Sequence, residues 1–296
     1  MMQGILVVNE FLHSNKFNEI HSWLLSAAAK HGISMELRTN AQLLIDITKK
    51  APEKQADFIL FWDKDVTLAA YLEQLGYSVF NSARAIETCD NKALTHLVLM
   101  REDIPMPATI IAPMTFENIG YTNYDFLHEV ERRLGFPMVI KECFGSFGQQ
   151  VYLVHSREEC IRQMKAIGSK PILFQEFVQT SFGKDIRLQV VGGRVIAGMY
   201  RYSENGDFRA NLTIGGKMRS YEPTERQQEL ATRCCNAIGL DFAGVDLLFG
   251  DGEEPVVCEV NSNAHFKNIF DCTGVDAADA IFKHIRERLM AEGQRS

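Results

Sequence analysis

Two carboxylates and an amide lie close together near the C-terminus of this 296-residue chain, in Val245-Asp246-Leu247-Leu248 and Cys258-Glu259-Val260-Asn261. The Asp251-Gly252 dipeptide between them is a hairpin signal, so the flanking segments read as antiparallel strands, Phe242–Phe249 and Pro255–Val260. Side chains alternate across a strand, which puts Glu259 and Asn261 on one face, with Asp246 on the paired strand. Two carboxylates and an amide oxygen aimed together from rigid strands make a hard-oxygen site suited to Mg²⁺ or Mn²⁺. The alternative is a carboxylate pair at a solvated strand end. Against it, these carboxylates sit within apolar strands, where unpaired burial is costly.

A second constellation follows Lys141, at the end of an expected strand Met138–Glu142: the loop Gly145-Ser146-Phe147-Gly148. Backbone N–H groups of such a loop can wrap phosphate oxygens, and Lys141 adds a charge beside it; a plain turn and a solvated lysine are the alternatives. A third, Gln175-Glu176-Phe177-Val178, ends an apolar strand. It offers backbone groups to an adenine edge and a carboxylate to a ribose, or else is a core strand with Glu176 exposed. A fourth gathers Arg187, Arg201, Arg209 and Lys217 with Asp185 and Asn211. Guanidinium forks suit carboxylate and phosphate oxygens, although strand arginines are commonly solvated. Asp185 and Arg187 share a face, but a two-residue turn at Gly192-Gly193 sets Tyr200, not Arg201, opposite Asp185. Arg201 therefore needs a bulge, or a role at the strand end, to join them. His265 is a polar loop residue near the metal set, Cys143 adjoins the glycine loop, and Cys234-Cys235 fall on the apolar stripe of a helix. There is no HExxH, no GxSxG and no GxxxxGK[ST].

These residues need two kinds of scaffold. The first third alternates strands Gly4–Asn9, Ile33–Arg38, Asp57–Trp62 and Tyr77–Asn81 with helices over Phe17–Lys30, Thr39–Lys49 and Val66–Leu75. That pattern implies βαβ units and a parallel sheet with helices on both faces. No GxGxxG follows the first strand, so a dinucleotide-binding domain is not supported. After Ile104-Pro105-Met106-Pro107 the pattern turns antiparallel, with strands Val151–His155, Pro171–Phe177, Ile186–Val191 and Arg194–Tyr202. Helices are expected over Ser156–Ile167, Thr224–Ile238 and Asp276–Met290. The fold class is α/β: a parallel N-terminal lobe, residues 1–102, followed by an α+β region, residues 103–296.

Hydrophobic residues make up 46% and charged residues 23%, enough apolar material for a packed core. Lys+Arg 31 against Asp+Glu 38 leaves a net charge of −7, which argues against a nucleic-acid partner. No apolar run reaches the ~18 residues of a membrane span, and no signal peptide is evident. Seven scattered cysteines without a CxxC pair read as reduced thiols, and a cytoplasmic location is expected.

The order Asp90-Asn91-Lys92, Val139-Ile140-Lys141, Gly145-Ser146-Phe147-Gly148, Gln175-Glu176-Phe177, Asp185-Ile186-Arg187, Arg209-Ala210-Asn211-Leu212, Ala243-Gly244-Val245-Asp246 and Glu259-Val260-Asn261 resembles the ATP-grasp superfamily. Within it the chain is similar to the RimK-type amino-acid ligases, and Thr273-Gly274-Val275-Asp276 before the last helix adds to the likeness. The resemblance implies an ATP-grasp fold, with two α+β lobes enclosing the nucleotide and a lid at about 141–170. It also implies a ligase reaction in which a carboxylate takes the γ-phosphate of ATP as an acyl phosphate and an amine displaces phosphate. By that likeness Lys92 and Lys141 contact the phosphates under the cover of Gly145, Ser146 and Gly148. Gln175, Glu176, Phe177 and Val178 frame the adenine, while Asp185 and Arg187 belong to the nucleotide site. Asp246, Glu259 and Asn261 hold Mg²⁺ or Mn²⁺, two ions being expected, while Arg201, Arg209 and Asn211 face the acyl phosphate. Gln149-Gln150 stand where the family's loop often has a further glycine, and Ile214 where a basic residue usually precedes Gly215-Gly216. The substrate is expected to be an amino acid or peptide, with a protein tail as a further acceptor type and a homo-oligomer as the expected assembly. Its α-carboxylate or second carboxylate, with glutamate or aspartate the first candidates, would be held by one of Arg201, Arg209, Lys217, His265 and Lys267; the alternative is that Lys217 and Lys267 point to solvent and only the arginines enter the site. A dipeptide ligase of another specificity and a nucleotide-binding regulatory module without turnover are the alternatives.

Overall fold

A computed structural model of the chain describes residues 2–48, 54–146 and 148–293. The first lobe is a parallel sheet of β1 (Met2–Val8), β2 (Ile33–Thr39), β3 (Phe58–Phe61) and β4 (Ser78–Phe80), ordered β2-β1-β3-β4. Helix α1 (Asn15–Lys30) starts where the Ser14 side chain accepts the Phe17 N–H. Strand β3 is apolar throughout because both its faces are covered. Phe58 and Leu60 pack with Ile20 and Leu24 of α1 and with Ile281 and Ile285 of the C-terminal helix. Ile59 and Phe61 pack on the other side with Leu68 and Leu72 of α2 (Val66–Gln74).

The helix expected over Thr39–Lys49 does not form. A single 3₁₀ turn occupies Asn40–Gln42; beyond it Leu43 and Ile45 tuck against the apolar layer while Leu44 and Ile47 stand exposed. Packed residues two apart follow the period of extended chain, so no helical face could bury them together. Lys49, like Phe147 of the glycine loop, lies outside the described residues. Two helices unforeseen in the sequence follow β4, α3 (Ala83–Asp90) and α4 (Lys92–Arg101). Asn91 ends the first and caps the second, its side chain accepting the Ala93 and Leu94 N–H groups. Lys92 is thereby fixed as the first helical residue, with its backbone N–H bonded to the Cys143 carbonyl at 2.9 Å.

The rest of the chain forms two antiparallel sheets. One, ordered β5-β8-β6-β7, contains β5 (Thr109–Ile111), β6 (Met138–Glu142), β7 (Val151–Val154) and β8 (Ile172–Glu176). It is backed by α5 (Leu127–Leu134) and α6 (Arg157–Ile167). The other, ordered β11-β10-β9-β12-β13, contains β9 (Lys184–Val191), β10 (Arg194–Tyr202), β11 (Lys217–Ser220), β12 (Phe242–Phe249) and β13 (Pro255–Asn261). Helix α7 (Glu225–Ile238) covers its back, with Cys234 and Cys235 fully buried in that core as the stripe predicts. Helices α8 (Lys267–Thr273) and α9 (Ala277–Gly293) complete the chain.

Two register shifts in the central sheet set which of its polar side chains stand opposite one another. Gly192 and Gly193, both at positive φ, close the β9–β10 hairpin, and a bulge between Val195 and Ala197 then moves the pairing by one residue. Arg201 consequently stands opposite Asp185, as the bulge alternative requires. A second shift, between Asp246 and Leu247, pairs Asp246 with Glu259 instead of Cys258; nothing in the sequence pattern announced it.

The parallel lobe is joined to the central sheet by Asn81, which is completely buried. Its Nδ2 donates to the carbonyls of Phe242 (2.9 Å) and Ser262 (3.0 Å), and its Oδ1 accepts the N–H groups of Asp241 (2.7 Å) and Phe242 (3.3 Å). All four hydrogen-bonding positions of the amide are used. Asn81→Ala strands buried backbone groups on two segments and is expected to cost about 3 kcal/mol. Urea unfolding should show a lower midpoint with an unchanged m-value.

Candidate active site

The two bulges bring one row of side chains onto a single face of the central sheet. Arg187 lies opposite Asp246, which lies opposite Glu259, and Arg201 lies opposite Asp185. Arg201 is only 4% exposed and grips Asp185 with Nε and Nη2 at 2.6 and 2.8 Å. The same Nη2 reaches Asp246 at 2.9 Å, and Arg187 forks the two Asp246 oxygens at 2.7 Å each. Two guanidiniums and two carboxylates thus form a neutral buried network; removing one member would leave a charge uncompensated at a cost of about 3–5 kcal/mol. Burial pushes the Asp185 carboxyl up against the pull of Arg201. At Asp246 the opposing pull of Arg187 and Arg201 outweighs burial and holds the carboxyl below its usual range.

This face and the β5-β8-β6-β7 sheet enclose a narrow cleft of about 110 Å³. Of the predicted nucleotide residues, Lys92, Lys141, Gly145, Ser146, Gly148, Gln175, Glu176, Phe177, Val178 and Asp185 line it, and so do Arg201, Arg209, Asn211, Asp246 and Glu259. Lys141 is buried rather than solvated, with Nζ 3.6 Å from Cys258 Sγ. Lys92 Nζ donates to the Gly145 carbonyl at 3.1 Å and pairs with Glu259 Oε1 at 3.3 Å. Arg209 is held by Asp207 and donates to the Gly148 carbonyl at 2.8 Å. Gly148 is required where it stands: φ is +71°, and a Cβ there would lie 2.8 Å from Asn211 Oδ1. At the far end Glu176 is exposed and accepts the Ala108 N–H, while buried Gln175 donates to Thr109 Oγ1 at 2.9 Å.

The cleft opens into a larger chamber of about 450 Å³, and Ser146, Arg201, Asn211 and Glu259 line both. Arg187 and Asn261 line this chamber rather than the cleft, so Arg187 stands apart from the other predicted nucleotide residues. The parallel lobe supplies Asn9, Lys16, His21, Asp63 and Lys64, residues that sequence reasoning missed. Their one sequence signal was position, at or just beyond the C-terminal ends of β1 and β3 and the start of α1, where open α/β sheets hold ligands.

The expected cation inventory changes accordingly. Lys217 is exposed and paired with Glu204, and Lys267 is paired with Glu19 and Asp271; neither lines the chamber. His265 does line it, but burial first, and then Lys16, push its ring down to about 4, so it is neutral at pH 7. Cys143 is buried and its thiol is pushed up, mainly by that burial, which removes it as a reactive group.

The donor set suits a divalent cation of the hard-oxygen kind. Asp246 accepts three guanidinium hydrogen bonds out of about four lone-pair directions, which leaves one free. Glu259 faces both cavities, and Asn261 lines the chamber, where its Oδ1 would be the ligating atom. Two carboxylates and one amide also explain why the described residues gather no cluster of three His, Cys, Asp or Glu.

Comparison with known proteins agrees with this geometry. A model of the RimK-like ATP-grasp domain matches residues 89–285, a stretch that contains every residue lining the cleft. An uncharacterized protein of Mycoplasma pneumoniae is 33% identical over 243 residues, 81% of this chain and 84% of that one. N-acetylaspartylglutamate synthase A of Homo sapiens is 34% identical over 220 residues, 74% of this chain; the match spans 55% of that longer protein. In architecture, the crystal structure of D-alanine–D-alanine ligase from Bacillus anthracis complexed with ATP superposes with a TM-score of 0.74. Its identity is 20%, and the superposition covers 100% of this chain and 99% of that one. Two sheets closing on a lysine-lined cleft, with the matching motif order on the strands that build it, place this chain in the RimK-like ATP-grasp family.

Proposed function

We propose that this protein is an ATP-dependent carboxylate–amine ligase that joins an acidic amino acid or peptide through an acyl phosphate. The observation that carries the reading is the junction of the two cavities at Ser146, Arg201, Asn211 and Glu259. A phosphoryl group leaving a nucleotide in the cleft would meet a carboxylate in the chamber there. Transfer of this kind needs positioning and charge neutralisation more than covalent help from the protein. Lys92, Lys141 and Arg209 reach the cleft from three different elements and would bind the phosphates. Asn211, with Arg201 behind it, would orient the acyl oxygen. A divalent cation held by Asp246, Glu259 and Asn261, whether Mg²⁺ or Mn²⁺ and whether one ion or two, would offset phosphate charge. Burial of this face would keep water from the activated carboxyl. The relative named for N-acetylaspartylglutamate, a product with an acid on each side of its amide, supports an acidic substrate pair. Lys16 and Arg187 in the chamber suit such a ligand.

The decisive experiment is ADP release with Mg²⁺ over a panel of carboxylates and amino acids, with mass spectrometry of any product. N-acetylaspartate, citrate and glutamate should be tried first. Release is expected only with an acid–amine pair; turnover confined to neutral amino acids would reject the acidic reading, and nucleotide binding without product would favour a regulatory module. The double variant Asp246→Ala/Glu259→Ala should lose at least about 100-fold in turnover. Lys217→Ala and Lys267→Ala, whose side chains pair at the surface, should leave KM for both substrates within about twofold.

The cleft volume is also less than the ~300 Å³ at which ligand sites generally begin, and the glycine loop covers it through the Lys92 and Arg209 contacts. The segment from about 141 to 170 is therefore expected to move as a lid, with phosphate oxygens replacing the Gly145 and Gly148 carbonyls on those cations. Hydrogen exchange across it should change when AMPPNP and Mg²⁺ saturate the site; identical exchange profiles would refute the lid.

A further inference from the structure

Three carboxylates line the large chamber: Asp63, Asp90 and Glu259. Asp90 is paired with Lys64 and Glu259 with Lys92. Asp63 is different. It is only 6% exposed and burial pushes its carboxyl up; Lys64 pulls the other way, yet among the described residues no Lys, Arg or His side-chain nitrogen lies within ion-pair distance of it. Its oxygens accept Asn9 Nδ2 at 3.2 and 3.1 Å and the backbone N–H of Lys64 at 2.7 Å. These neutral donors orient the carboxylate without cancelling its charge. The Lys64 ammonium itself turns away, to Asp90 and to Ser146 Oγ at 3.3 Å. A buried carboxylate in a protein is ordinarily paired, because an unpaired one is costly.

A second unmet acceptor lies beside it. Asn263 donates its Nδ2 to the Asp63 backbone carbonyl at 2.8 Å, and this leaves its buried Oδ1 without any hydrogen-bond partner. Asp63 and Asn263 both line the chamber, and Asp63 and Asn9 lie just past the C-terminal ends of parallel strands β3 and β1. Two acceptors, one of them a carboxylate, are thus held rigidly in the chamber, and none of the described cations that line it forms an ion pair with Asp63. A primary ammonium brings one positive charge and three N–H donors, and meets both needs.

We propose that Asp63 and Asn263 form the subsite that holds the ammonium group of the amine substrate, an assignment that rests on the ligase reading. Lys16 and Arg187 line the same chamber, so the ligand class is a zwitterion whose carboxylate faces cations while its ammonium faces Asp63. The acyl phosphate junction at Arg201 and Asn211 opens onto the same space: once Asp63 takes one proton from the ammonium, the free amine attacks the activated carboxyl and phosphate leaves with the C–O electron pair.

Competition between two nucleophiles tests this. The full-length protein is given ATP, Mg²⁺ and an acid it activates, from N-acetylaspartate and citrate, together with glutamate and hydroxylamine. Glutamate presents an ammonium to be held, whereas hydroxylamine is neutral at pH 7 and traps the acyl phosphate as a hydroxamate. In Asp63→Asn, which keeps the shape, the ratio of glutamate amide to hydroxamate is expected to fall about tenfold or more. Asn263→Ser should lower it by a smaller factor. A defect in folding or nucleotide binding reduces both products together, so an unchanged ratio in both variants overturns the subsite. A wild-type protein that forms neither product with any acid of the panel overturns the ligase reading, and the subsite with it.

Discussion

The site rests on a charge balance that only a distorted sheet could provide. Arg201 is buried and bound to two aspartates, and Asp246 is shared between two arginines. Four charged side chains, three buried and Arg187 partly so, are tolerable because each is matched and hydrogen-bonded in a fixed fork geometry. That matching depends on a bulge of one residue in β10, without which Arg201 would point to the opposite face. The second bulge, in the β12–β13 pair, brings Glu259 into line with Asp246 and Arg187. A network this tightly coupled gives the floor of both cavities a single arrangement, so phosphate and acyl ligands would meet preset charges rather than charges that must be gathered.

Around this floor the protein arranges cations of two kinds. Arg187 and Arg201 are committed to carboxylates, which fix their guanidiniums in place. Lys92 and Arg209 make bonds to carbonyls of the glycine loop, bonds that a phosphate oxygen would replace at little cost. The loop, the lysine at the start of α4 and the arginine at the rim therefore act as one unit. Asn91 makes this possible by ending one helix and capping the next, which aims Lys92 across at Gly145. The parallel lobe contributes in a different way. Clamped to the ends of β12 and β13 through Asn81, it carries Asp63 and Asn9 at its strand ends, and Lys16 on α1, into the chamber.

Much of this was legible in the residues themselves. The strands Met138–Glu142, Arg194–Tyr202 and Phe242–Phe249 and the helix from Thr224 follow directly from apolar periodicity, glycine pairs and capping residues, because those signals are local. The order of the cleft motifs identified the family, and with it the side chains lining the cleft. What lay beyond reach depended on contacts far apart in sequence. Whether Lys217, Lys267 or Lys16 enters a cavity is decided by which acidic neighbour or which lobe lies opposite, and no spacing rule encodes that. The segment after Thr39 forms no helix, because packing buries alternate residues instead. The sequence determined most of the strands, the chemistry of the donor sets and the likeness to ligases. The tertiary structure decided the two registers that align Arg201 with Asp185 and Glu259 with Asp246, and the meeting of cleft and chamber, because a register shift of one residue reverses every side chain on a strand while changing almost nothing in its local pattern.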